Sequence, residues 1–208
     1  DEIIVGAGRG GGPQVVMYDN LGQPTGFNFF PFHPDFRGGV DVAAGDVDGD
    51  GIDEIIMSQA SEGQAWIKVY EADANRTILG EFLAYDPGFR GGAHVAVGDI
   101  NGDGWDDIIT GTGMDSTAHV RSFNAVGGFT GISLFPFENN HRGGVDVAIG
   151  NVDGGPEAEI VVSKNTFGTG QAKVYKSDAS KRVLGDFLAF PAAHTEGANV
   201  TAGDIDRD

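Results

Sequence analysis

A segment of about 52 residues recurs along this chain, and that repeat limits the fold more than any other feature. Phe36-Arg-Gly-Gly-Val-Asp-Val-Ala-Ala-Gly-Asp-Val-Asp-Gly-Asp-Gly51 returns as Phe89-Arg-Gly-Gly-Ala-His-Val-Ala-Val-Gly-Asp-Ile-Asn-Gly-Asp-Gly104. It returns again as His141-Arg-Gly-Gly-Val-Asp-Val-Ala-Ile-Gly-Asn-Val-Asp-Gly154, and a fourth copy runs from Thr195 to Asp208. Asp46, Asp99, Asn151 and Asp204 open the acidic stretches at spacings of 53, 52 and 53. Asp1-Glu-Ile-Ile matches Asp53-Glu-Ile-Ile, so the chain divides into units 1–52, 53–105, 106–157 and 158–208, cut inside one motif.

Each unit reads as four short strands separated by Gly, Asn, Asp and Pro turn signals. The first is small and apolar (Val40 to Gly45), the second β-branched (Glu54 to Met57). The third is Val15–Tyr18, Trp66–Tyr70, His119–Phe123 or Gln171–Tyr175. The fourth is aromatic, as in Phe29-Phe-Pro-Phe32 and Leu134-Phe-Pro-Phe137. No stretch sustains the helical apolar spacing, so helix content should be very low. Phe30 and Phe32 share one strand face while Phe29 takes the other, which asks for cover on both sides. Pro31 and Pro136 place that strand at a sheet edge. The expectation is an all-β fold: a β-propeller of four four-stranded antiparallel blades, forming a closed ring or part of a larger propeller or assembly. The first strand of the N-terminal blade is then expected from residues near 199–203.

The loop Asp46-Val-Asp-Gly-Asp-Gly-Ile-Asp-Glu54 carries oxygen ligands at positions 1, 3, 5 and 9 (Asp46, Asp48, Asp50, Glu54) and the Ile52 carbonyl at position 7. The second loop offers Asp99, Asn101, Asp103 and Asp107 with the Trp105 carbonyl. Converging carboxylates plus a carbonyl suit a hard cation such as Ca²⁺, and no His or Cys argues for zinc or copper. An EF-hand would need Glu at position 12, where Met57 and Thr110 stand on β-branched strands. A kelch repeat has a similar length, but the Gly pairs here precede the acidic loop. A bare Gly-Asp turn would leave carboxylates repelling one another at a fixed period. The third loop is weaker: Asn151, Asp153 and Glu159 remain, but Gly155 removes the position-5 ligand and Pro156 the turn glycine. A fourth set, Asp204, Asp206 and Asp208 with Glu2 at position 9, is complete only if the chain ends meet.

Phe36-Arg-Gly-Gly-Val and Phe89-Arg-Gly-Gly-Ala, each followed by Val-Ala-x-Gly-Asp-x-(Asp/Asn)-Gly-Asp-Gly, resemble the FG-GAP repeat of integrin alpha-chain β-propellers and their bacterial relatives. The resemblance covers all four units. It implies four-stranded blades with Ca²⁺ in the hairpin between strands one and two, and a family serving mainly in adhesion and binding. Its members usually close with about seven blades, where this chain supplies four.

Asp41, His94, Asp146 and Asn199 recur on the innermost strand, as an axial polar ring or as separate blade-to-blade hydrogen bonds. Arg37, Arg90 and Arg142 precede the Gly pairs and are expected to pair with a neighbouring blade's carboxylate rather than capture an anion. Trp66 and His119 hold equivalent places, as packing or as glycan contacts. Asn75 and Asn199 head glycosylation sequons, of which Asn199 should be inaccessible. No serine sits in a nucleophile elbow, and the best-placed carboxylates are committed to loops, so catalysis is not expected. A net charge of −18 disfavours nucleic acid. No apolar run approaches the ~18 residues of a membrane helix. With no Cys there is no disulfide framework. An extracellular or cell-surface binding module stabilised by Ca²⁺, with a protein or glycan ligand, leads. A carbohydrate-binding propeller and a repeat that self-associates through its terminal strands are the alternatives.

Overall fold

The computed structural model describes residues 2–203. Its first blade is three-stranded: β1 (Ile3–Gly6), β2 (Val15–Tyr18) and β3 (Pro24–Phe29). The second holds β4 (Val40–Gly45), β5 (Glu54–Gln59), β6 (Trp66–Tyr70) and β7 (Ile78–Leu83). The third holds β8 (Ala93–Gly98), β9 (Asp107–Thr112), β10 (Val120–Phe123) and β11 (Phe129–Leu134). The fourth holds β12 (Val145–Gly150), β13 (Glu159–Lys164), β14 (Gln171–Tyr175) and β15 (Val183–Leu188). Every neighbouring pair is antiparallel and in chain order, and no helix forms among the described residues.

The core lies between the blades rather than inside them. Ile55 and Met57 face the first blade with Val15 and Phe27, while Ile56 faces the third with Ala93, Val95 and Ile108. The next layer joins Ile109, Val120 and Ile132 to Val145, Val147, Ile160 and Val162. Because both faces of the second strand are buried, it reads as a continuous β-branched run instead of an alternating one. Inner strands β4, β8 and β12 stand side by side, so the blades form an arc around a shared axis.

Two expectations are corrected. The fourth strands begin earlier than the aromatic stretches: β3 stops at Phe29 and β11 at Leu134, so Pro31 and Pro136 lie past the strand ends. The aromatics there turn under the blade, where Phe32 meets Phe36 edge-on at 5.9 Å, Tyr85 meets Phe89 at 5.7 Å and Phe137 meets His141 at 5.8 Å. His141, in the loop before β12, is buried in this clasp, and its Nε2 lies 2.9 Å from the Gly144 carbonyl. Nor do residues 199–203 complete the first blade of their own chain. Among the described residues β1 pairs with β2 alone, whereas the C-terminal stretch docks on the fourth blade. There Val200 N–H donates to Asp146 at 2.7 Å and Ser163 Oγ to the Ala198 carbonyl.

Candidate metal centre

The acidic loops connect the two inner strands of the second, third and fourth blades, and their first residues fold them. In the first loop, Asp46 accepts from Gly49 N–H (2.7 Å) and Gly51 N–H (3.0 Å) through its two oxygens. Asp48 accepts from Asp50 N–H at 3.1 Å, and Asp50 from Ile52 N–H at 2.8 Å. The second loop repeats this: Asp99 binds Gly102 N–H (2.7 Å) and Gly104 N–H (2.9 Å), and Asn101 and Asp103 each accept at 2.9 Å. Gly49, Gly51, Gly102 and Gly104 all have positive φ, between 75° and 89°, which is why glycine holds those positions.

Adjacent loops are joined along one face. Asp106 N–H donates to the Asp46 carbonyl at 2.8 Å, and Ala158 N–H to the Asp99 carbonyl at 3.2 Å. Trp105, expected to serve through its carbonyl, also lays its indole against Gly49 of the preceding loop.

The loops differ in how their side chains converge. In the first, Asp46, Asp48 and Asp50 bring carboxylate oxygens within 4.8 Å of one another. Asp48, Glu54 and Glu71 do the same, so Glu71 joins from just beyond β6. Glu54 is fully buried; its Oε2 accepts from Val47 N–H at 3.0 Å, while Oε1 has no hydrogen-bond partner among the described residues. Burial pushes its carboxyl up to about 7, with Asp48, Glu71 and Asp50 adding to the rise against the Val47 bond. In the second loop the Asn101 amide donates to Asp107 at 3.2 Å. Burial lifts Asp107 to about 6, with Asp103 and Asp99 raising it further. A hard cation neutralises such clustered carboxylates and takes oxygen donors, so an orphaned, buried carboxylate oxygen among acidic side chains fits Ca²⁺.

The third loop keeps the backbone pattern, with Gly154 N–H on Asn151 at 2.8 Å, but its centre is an ammonium. Lys176 Nζ sits 2.6 Å from Asp153 Oδ2 and 2.8 Å from Glu159 Oε1. These bonds push Lys176 up to about 12, and its contact is the main cause holding Asp153 below the ordinary carboxylate range. The sequence reading missed both Glu71 and Lys176. Their signal was the residue after the third-strand aromatic, which runs Asp19, Glu71, Asn124, Lys176 through the four units. Glu2 lies beside Ile4, Asp53 and Ala72, while Asp204, Asp206 and Asp208 fall outside the described residues.

Of the inner-strand polar set, three members meet. His94 Nδ1 is 3.5 Å from Asp41 and 3.8 Å from Asp146. Asp41 also accepts from Val95 N–H of the next blade at 2.9 Å, the counterpart of the Asp146–Val200 bond. Asn199 lines the same cleft but accepts from Asn165 at 3.1 Å, and it is exposed rather than inaccessible. Burial works to lower the His94 pKa, but the Asp41 hydrogen bond and the two carboxylates outweigh it and hold it above the usual 6.5. Burial is also the leading cause that raises Asp146. A folded-state value above the unfolded one contributes stability that is full below 6.5 and is lost as pH rises through the folded value. In calcium, wild type should therefore lose more stability than His94→Gln between about pH 6 and about pH 9 by urea unfolding. Parallel losses would remove the histidine from this linkage.

The arginines correct another expectation. Arg90 Nη1 donates to the carbonyls of Pro87 (2.6 Å) and Phe89 (2.7 Å), and Arg37 and Arg142 bond their own turns in the same way. Trp66 packs against the core between the first two blades. His119 instead stacks on the exposed Phe135 at 4.2 Å.

Sheets in chain order around an axis, packed face to face, with an acidic loop between the inner strands of each four-stranded one, define a β-propeller of acidic-loop repeats. The FG-GAP repeat model matches residues 91–129, from the Gly91-Gly92 pair through the second loop to the start of β11. No curated protein matches the sequence. Among solved structures, a rhamnogalacturonan lyase of Bacillus licheniformis is similar over 86% of this chain and 43% of its own, at 16% identity and a TM-score of 0.55. The rhamnogalacturonan lyase YesW is similar over 86% and 43%, at 15% identity and a TM-score of 0.54. The exotype lyase YesX is similar over 82% and 39%, at 15% identity and a TM-score of 0.53. The chain thus spans about two fifths of these lyases' length, and the likeness is one of fold.

Proposed function

We propose that this propeller is a calcium-stabilised, non-enzymatic binding module working outside the cell or at its surface. The observation that carries the reading is the first loop, where Asp46, Asp48 and Asp50 converge beside a buried Glu54 with an unpartnered oxygen. Loops built this way suit a calcium-replete exterior, where modules work with dissociation constants of about 10⁻⁴–10⁻³ M. A native mass spectrum in calcium should give two bound ions, held by the first and second loops. Asp50→Ala and Asp103→Ala should each remove one, the Asp50 site being the tighter because its carboxylates already converge. Wild-type protein without a bound ion would overturn the reading.

The ligand is a protein or a glycan. The acidic surface disfavours nucleic acid. No helix among the described residues is long and apolar enough to cross a membrane. A glycan is supported by the His119–Phe135 stack, since an exposed ring held flat by a second ring is a platform for a sugar face. Binding on a glycan array that Phe135→Ala abolishes would select that ligand class. Self-association is supported by β1, whose second edge is unpaired among the described residues and which leaves Ile3 and Val5 half exposed. The mass in solution tests it.

A further inference from the structure

Glu71 and Lys176 hold one structural position with opposite charge. Ile55 pairs with Tyr70 across β5 and β6, and Ile160 with Tyr175 across β13 and β14. The same register therefore sets Glu71 beside Glu54 and Lys176 beside Glu159. Both loop glutamates are fully buried, and both accept a backbone N–H through Oε2, from Val47 and from Val152. They differ in the other oxygen. Glu159 Oε1 takes the Lys176 ammonium at 2.8 Å, whereas Glu54 Oε1 has no partner among the described residues and lies in the cluster with Asp48 and Glu71. The Lys176 ammonium also reaches Asp153, the counterpart of Asp48, so one cation bridges positions 3 and 9 of its loop.

The other two units do not use this position so. Asp19 and Asn124 turn into their own hairpins, accepting from Leu21 and Gln23 N–H and from Val126 and Gly128 N–H respectively.

We propose that the residue after the third strand decides which cation an acidic loop uses. Glu71 is a further ligand, outside the loop, for calcium in the second blade, and the Lys176 ammonium is the resident cation of the fourth. The fourth blade is then calcium-independent by construction, not merely short of a ligand at Gly155. Only the Glu71 half rests on the calcium reading above.

Three variants test the two halves, by native mass spectrometry and by melting in calcium and in chelator. Glu71→Lys should bind one ion fewer than wild type and, in chelator, melt about 5 °C above it, because a tethered ammonium replaces a repelled carboxylate. Glu71→Gln should keep the fold and raise the first site's dissociation constant for Ca²⁺ about tenfold. Lys176→Gln leaves Glu159 buried and unpaired, so it should melt at least about 5 °C lower, equally in calcium and in chelator. Glu71→Lys with the wild-type ion count and chelator response, or Lys176→Gln melting like wild type, would overturn the proposal. If wild type takes up no calcium, the calcium reading fails, yet Lys176→Gln and the chelator melt of Glu71→Lys still decide the ammonium half.

Discussion

Chelating calcium is expected to lower the melting temperature of this protein by roughly 10 °C or more. Each site at a hundredfold excess over its dissociation constant contributes about 2.7 kcal/mol, and two sites act together. A domain of this size shifts by about 2–4 °C per kcal/mol. The structural reason lies in the inner hairpins. Glu54 and Asp107 begin β5 and β9, strands buried on both faces, so charge repulsion at these residues acts at the edge of the core. Asp106 adds to this, since its N–H ties the second loop to the first and its own carboxyl is raised, chiefly by burial, with Asp53, Asp99 and Asp46 adding. Loss of an ion from one loop should therefore loosen its neighbour. Melting curves that superimpose with and without chelator would remove the cation from the account of stability.

Much of the blade was legible in the repeat because turn residues bracket the strands. The small apolar strand stands at Val40–Gly45, and third strands at Val15–Tyr18, Trp66–Tyr70 and Gln171–Tyr175, as read from the residues. The fourth strand was misplaced for a physical reason. Its true course, as in Ile78–Leu83, is the half-buried outer edge of the blade, where Gly80-Glu81 separates the apolar pairs Ile78-Leu79 and Phe82-Leu83, so the residues do not alternate and the two-residue period is weak. The strong aromatic signal beside it belongs to the clasp that packs Phe32 on Phe36 and Tyr85 on Phe89. Arg90 carries no readable pairing because its partners are backbone carbonyls. Glu71 and Lys176 were hidden because each meets its loop through strand register across a whole hairpin, a relation that no motif spacing within the loop records.

Gly92→Ala is expected to destabilise the protein by about 3–5 kcal/mol, combining the penalty for a left-handed alanine with that of overpacking. Gly92 has φ of +76°, and a Cβ there would lie 2.5 Å from backbone atoms of Gln59, Ala60 and Ser61 in the preceding blade. Those atoms belong to a segment already fixed by hydrogen bonds: Gly92 N–H donates to the Gly63 carbonyl at 3.0 Å, and Ala60 N–H to Gly39 at 3.0 Å. The same joint recurs where Gly39 meets Gly8 and Arg9, where Gly144 meets Thr112 and Gly113, and where Gly197 meets Lys164 and Asn165. The first glycine of the pair serves within its own blade, Gly91 facing the Met114 carbonyl where a Cβ would stand at 1.9 Å. The repeated Gly pair is thus the place where one blade's inner strand passes close to its own hairpin and then to its neighbour's backbone. Since the core lies between blades, a wedge at Gly92 also separates Ile56 from Ala93 and Val95. Gly22→Ala is the control, with a similar φ of +75° but no atom within 4 Å of the added Cβ, and it should lose only about 1 kcal/mol. Denaturant unfolding of both variants separates strain from close approach: equal losses would show that the Gly pairs answer to backbone conformation alone and do not set how closely the blades pack.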